Sequence, residues 1–185
     1  MAVSGANWVS QFPTSISTSD LHPGFRNQVD RFINALESAG AAVDISATLR
    51  PPRRVYMMHW SWRIAREGFD PRQVPSMHGV NIQWAHTDSQ GNYSATRSVR
   101  AASDMVAAYG IVFRPALSSR HTEGLAIDMT IRWSDMLRIT DATGTVVAIE
   151  NGPRNGGNSA LHTVGASFGV KKLLSDPPHW SEDGH

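Results

Sequence analysis

Between Leu125 and Arg132 the chain alternates strictly. Leu125, Ile127, Met129 and Ile131 are apolar, and Ala126, Asp128, Thr130 and Arg132 fall between them. A period of two specifies a β-strand with one face against a core. It also places a carboxylate, Asp128, in the middle of the opposite face, beside an alanine small enough to leave room. A carboxylate set into a half-buried strand needs either solvent or a partner of opposite charge. The chain must therefore build a sheet, and the polar face of that sheet must be wet or must hold something cationic.

The rest of the chain supplies what such a sheet packs against. Phe25, Val29, Phe32, Ile33 and Leu36 recur at helical spacing, and Gly40 closes that helix. Val43 to Leu49 reads as a strand that ends at Pro51-Pro52. Val55, Met58, His59, Trp62 and Ala65 mark a second helix, with Pro52 in its first turn. Ser98 to Tyr109 marks a third, ended by Gly110, with a short strand predicted over Ile111 to Phe113. Met136–Ile139 and Thr145–Ile149 read as a hairpin around Asp141-Ala142-Thr143-Gly144. Leu161, Val164, Gly165 and Phe168 form a short helical stripe. Helices followed by antiparallel strands predict the α+β class, as a small domain with an antiparallel sheet flanked by helices. At 185 residues the chain is long enough for one domain or two very small ones. Residues 1–20 read as a polar lead-in and 21–185 as the folded domain, with 69–95 a long irregular insertion.

Composition removes several function classes. There is no cysteine, which excludes disulfides, thiolate metal sites and a cysteine nucleophile. The 17 basic and 16 acidic residues leave a net charge of +1, which argues against a mainly electrostatic nucleic-acid binder. Only Lys171 and Lys172 are lysines, so nearly all the positive charge is arginine. No stretch has the pattern of a signal peptide or of a membrane span. These features predict a soluble protein made in the cytoplasm, without membrane insertion.

Two short segments carry the chemistry. The first is Ser119-Arg120-His121-Thr122-Glu123-Gly124-Leu125-Ala126-Ile127-Asp128, with His121 expected in the loop that enters the strand. The second is Asp176-Pro177-Pro178-His179-Trp180, whose prolines forbid a helix interior and hold Asp176 and His179 on a stiff backbone. Imidazole nitrogen and carboxylate oxygen both suit zinc, and a catalytic zinc takes three protein ligands and keeps one position open. His121, Asp128 and His179 make three, and Asp176 is then free to act as a general base. The same residues also fit a plainer account, in which His121 is exposed in a polar loop, the prolines close the domain and Trp180 plugs the core. His78, Trp84, His86 and Tyr93 could line a wall built by 69–95, and His162 could serve the rim, though each fits a structural role as well. His59, on an apolar stripe, reads as a satisfied core histidine.

These two segments resemble the zinc D-alanyl-D-alanine carboxypeptidases, dipeptidases and phage L-alanyl-D-glutamate endopeptidases. Ser119, His121, Gly124, Ala126 and Asp128 match their Ser-x-His-x-x-Gly-x-Ala-x-Asp signature. Asp176 to Trp180 is similar to their (Glu/Asp)-x-x-His-Trp element. The resemblance implies zinc on His121, Asp128 and His179, with Asp176 activating water. It implies a small α+β fold of the Hedgehog and DD-peptidase kind. It also implies an arginine near a helix start that steadies the scissile carbonyl. Arg50 is the best match, with Arg53 and Arg54 as neighbouring alternatives. The implied substrate is the peptidoglycan stem peptide, cut either internally or at a terminal D-alanine. A non-enzymatic, zinc-stabilised wall-binding domain is the third reading. Action on the cell wall without a signal peptide would follow lysis or dedicated secretion, and in the latter case a cognate inhibitor protein is expected in the producer.

Overall fold

The computed structural model describes all 185 residues. In chain order the regular elements are β1 (Ala2–Val3), α1 (Pro23–Ser38), β2 (Ala42–Ala47), α2 (Pro52–Glu67), β3 (Ile82–Gln83), α3 (Ala95–Tyr109), α4 (Arg120–Glu123), β4 (Ala126–Arg132), β5 (Leu137–Thr140), β6 (Val146–Ile149), α5 (Ser159–Ser167), β7 (Lys171–Lys172) and β8 (His179–Ser181). Short 3-10 turns precede α1 and follow α2. Helices and mostly antiparallel strands on separate stretches give the expected α+β class. No helix is long and apolar enough to cross a membrane.

The chain forms two compact units. One comprises Met1–Pro13 and Pro51–Ser119, and the other Thr14–Arg50 and Arg120–His185.

The second unit holds the four-stranded sheet, in the order β2-β4-β8-β7, with every neighbouring pair antiparallel. The alternation of β4 dictates its place. Ile127, Met129 and Ile131 are fully buried and face Phe25, Val29, Phe32 and Leu36 of α1 in one core. Each of those α1 side chains contributes about 1.5–3 kcal/mol by leaving water. Trp180 of β8 pairs with Ile127, enters the same core and meets the Phe32 ring at 5.4 Å. Helix α5 closes over it through Gly165, where a Cβ would lie 2.8 Å from the Trp180 ring. The β5–β6 hairpin, with its turn at 141–144, adds Leu137, Ile139 and Ile149.

The first unit is built on α2 and α3. Their buried residues Tyr56, Met57, Trp60, Ile64, Ala102 and Met105 form a second core with Trp8, Ile82 and Trp84. Residues 1–13 therefore do not trail as a lead-in. Trp8 is buried, its indole N–H donates to the Val3 carbonyl, and β1 pairs in parallel with β3. Residues 69–95 likewise belong to this unit, because Pro71, Ile82 and Trp84 are buried there. The strand predicted over Ile111–Phe113 is absent. Gly110 caps α3 in the left-handed conformation, and Val112 and Phe113 are largely exposed, with no neighbouring strand to pair.

Candidate metal centre

The register of the sheet begins the site. Asp128 of β4 lies directly opposite His179 of β8, so both side chains share the face that β4 turns away from the core. The third member arrives from α4, a single turn where the sequence suggested a loop. Between α4 and β4 the chain reverses at Gly124 with φ +70°, and a Cβ there would lie 2.8 Å from the His22 nitrogen. Only glycine combines that backbone with that approach. The His22 N–H donates to the Gly124 carbonyl at 2.9 Å and ties the reversal to the start of α1.

The three side chains converge tightly. His121 Nε2 lies 3.1 Å from Asp128 Oδ1 and 3.2 Å from His179 Nδ1, and His179 Nδ1 lies 3.1 Å from the same carboxylate oxygen. Both histidines are buried. Their outer nitrogens are committed elsewhere. His121 Nδ1 donates to the Thr48 carbonyl at 2.7 Å, and His179 Nε2 donates to the His185 carbonyl at 3.1 Å. A neutral imidazole carries one proton, so these bonds leave the two inward nitrogens as bare lone pairs. Two lone pairs and a carboxylate oxygen thus face one small space, which is repulsive unless a cation joins them. A tetrahedral ion with bonds of about 2.0–2.1 Å keeps its ligand atoms about 3.3 Å apart, close to the spacing found. The donor set and its outer hydrogen bonds fit a metal ion, and the group is able to hold one.

In the metal-free protein the same crowding shifts the titrations. Burial opposes the charge of Asp128, but the His121 and His179 rings more than offset it and hold the carboxyl far below its usual range. Burial likewise opposes the charge of His179, and Asp128 overcomes it, so that His179 titrates above its ordinary value.

Of the other predicted residues, Arg50 lies in the same unit and donates its backbone N–H to the His121 carbonyl at 3.0 Å. Arg53 and Arg54 belong to the first unit. The Arg53 guanidinium sits 5.4 Å from the Phe12 ring centre, while Arg54 donates to the Val9 carbonyl at 2.9 Å and stacks on Tyr109. Asp176 is exposed, and its carbonyl accepts the His179 N–H at 3.1 Å. Its carboxylate stands outside the tight group, but its negative charge adds to the upward pull on the His179 ring. His78, Trp84, His86 and Tyr93 all lie in the first unit, where Trp84 is buried and His86 bonds Ser4 at 2.9 Å. His59 is satisfied by the Pro115 carbonyl, and His162 by that of Gly156 with its ring edge against Trp180.

Sequence reasoning missed the residues that hold the three side chains in place. Thr48 is fully buried just past β2, beyond a bulge between Ile45 and Ala47, and its carbonyl orients His121. The segment that carries His185 is tethered through Asp183, which pairs with Arg120, the residue before His121. That arginine holds the Asp183 carboxyl down at about 2. Charge spacing could have flagged Asp183, but a backbone carbonyl such as that of Thr48 leaves no mark in a sequence. No family model matches the chain, and no curated protein matches it.

Proposed function

We propose that this protein is a zinc-dependent peptidoglycan endopeptidase, which hydrolyses an amide bond in the stem peptide or cross-link of the bacterial cell wall, with L-alanyl-D-glutamate as the first bond to test. The observation that carries this reading is the buried group of His121, Asp128 and His179, with its two bare imidazole lone pairs and one carboxylate oxygen turned to one point. Two neutral histidines and one aspartate would leave a bound zinc centre with a net charge of +1. That charge suits an anionic stem peptide and an oxygen that becomes negative.

Zinc held there supplies Lewis acidity, which polarises a carbonyl and makes a water molecule acidic near neutral pH. The chain's own residues do the rest. Asp176 accepts the proton of the attacking water as the new C–O bond forms. Arg50 supplies a guanidinium that offsets the developing charge on the carbonyl oxygen. Asp176 then returns the proton to the leaving amine as the C–N bond breaks, so the proton and electron counts close. Thr48 and His185 hold the two imidazoles in the tautomers that the ligand set needs.

For Arg50, the expectation is that Arg50→Ala keeps zinc and fold but lowers kcat about 10²-fold or more, while Arg50→Lys recovers little, because a point charge does not replace a planar fork. Arg53→Ala should leave kcat unchanged. A large loss in Arg53→Ala with none in Arg50→Ala would move the role.

The experiment for the reading as a whole is digestion of intact sacculi with zinc-loaded protein, followed by product masses. Cleaved stems or cross-links support it. Release of D-alanine alone would make the protein a carboxypeptidase. Unchanged sacculi that nevertheless retain the protein would make it a wall-binding domain. The setting consistent with this chemistry is the cell wall, reached after lysis or by dedicated secretion.

A further inference from the structure

Lys172 precedes the segment that carries Asp176 and His179, and its ammonium is used in full. Nζ donates to the carbonyl of Leu173 at 2.5 Å, to that of Asp176 at 2.5 Å and to that of His179 at 3.0 Å. An ammonium has three donors, and here each meets a different backbone oxygen. The same three oxygens are also bonded by backbone N–H groups. Asp176 N–H donates to Leu173 at 3.3 Å, His179 N–H to Asp176 at 3.1 Å and Leu173 N–H to His179 at 3.1 Å. Residues 173, 176 and 179 thus close a ring of consecutive turns whose carbonyls converge on one cation.

The ring needs that cation. Pro177 and Pro178 have no N–H to offer, and their fixed φ leaves the segment few other ways to turn. Without Lys172, three converging carbonyl dipoles would be offset only by their backbone N–H donors. The ammonium also lies 5.7 Å from the ring centre of the buried Trp180, within reach of a cation–π attraction. The anchor is therefore tied to the core, while the ring it organises carries one metal ligand and the acidic residue three positions before it.

We propose that Lys172 is a positioning residue that sets the geometry between the Asp176 carboxylate and the His179 imidazole by acting as an internal cation for the 173–179 ring. Its effect on His179 rests only on the metal group, and its effect on Asp176 rests on the peptidase reading above.

The test uses the whole chain. Lys172→Met is compared with wild type for zinc affinity, for the visible absorption spectrum of the cobalt-substituted protein, and for kcat and KM on sacculi or a stem peptide. The expected result is a native far-ultraviolet spectrum, zinc affinity weaker by about 10–100-fold, a changed cobalt spectrum, and a fall in kcat with KM nearly unchanged. Lys172→Arg should not rescue, because a planar fork cannot point three donors into a small ring. Because the chain has no cysteine, Lys172→Cys introduces a single thiol, and aminoethylation of that thiol restores an ammonium at nearly the same reach. It should recover the cobalt spectrum and the affinity, whereas capping the thiol with a neutral group should not. If Lys172→Met does not fold, Lys172→Gln, which keeps two donors, carries the same comparison. Wild-type zinc affinity and cobalt spectrum in the folded variant would overturn the proposal. Wild-type protein that binds zinc but cleaves no stem peptide would defeat the peptidase reading and leave this inference to stand on the spectrum.

Discussion

Asp176→Asn should keep one zinc per chain and lower kcat about 10²–10⁴-fold, the usual cost of losing a general base. The substitution is nearly isosteric. It leaves intact the carbonyl that accepts from His179 and from Lys172, and the prolines that follow it. What it removes is the ability to take a proton, because an amide oxygen is a poor base at neutral pH. Zinc content should not change, because the carboxylate stands outside the group formed by His121, Asp128 and His179. Asp176→Glu should keep partial activity, limited by fitting one more methylene onto a ring stiffened by two prolines. Zinc content by elemental analysis and turnover on a stem peptide, measured on the same preparation, decide the matter. Near wild-type turnover in Asp176→Asn would place the base elsewhere. Loss of zinc in Asp176→Asn, with retention in His179→Ala, would reverse the roles assigned within the C-terminal segment.

Loss of any one ligand should have the second large effect. His121→Ala, Asp128→Ala and His179→Ala should each bind zinc weakly or not at all, and each should lose activity. Stability should move with the metal. At free zinc a thousandfold above its dissociation constant, binding to the folded state alone contributes about 4.1 kcal/mol, so chelation should lower the wild-type Tm markedly. The variants add a sharper comparison. In wild type without metal, the inward nitrogens and the carboxylate oxygen lie 3.1–3.2 Å apart, and the two histidines favour the charge of Asp128. In excess chelator the metal's contribution is absent from wild type and variants alike, so the difference between them should shrink. Full stoichiometric zinc in all three variants would refute the ligand assignment.

The strand that carries Asp128 was legible because its period of two is written residue by residue, and α1, α2, α3 and the 137–149 hairpin were legible for the same kind of reason. The partner of that strand was not. Nothing in the spacing of Asp128 and His179 says that they sit opposite each other in one register. That follows from β8 pairing with β4 so that Trp180 falls on the core side and His179 on the other. Local patterns also say little about which core an element joins. Trp8 looked like part of a polar lead-in because its neighbours are polar, yet its contacts come from α2 and α3, far along the chain. The short apolar run at Ile111–Phe113 failed as a strand because three β-prone residues need an edge to pair with. The site was legible in its ligands, whose side chains are its chemistry. It was illegible in Thr48, His185 and the ring around Lys172, where backbone carbonyls do the holding.

The hydrogen bond from the Arg50 nitrogen to the His121 carbonyl has an architectural consequence. It fastens the unit that carries the ligands at the point where the chain leaves it, just before Pro51, and just after the chain returns at Arg120. The intervening residues 51–119, together with Met1–Pro13, form the other unit. The unit that holds His121, Asp128 and His179 is thus discontinuous in sequence, and this backbone hydrogen bond marks where its two stretches meet.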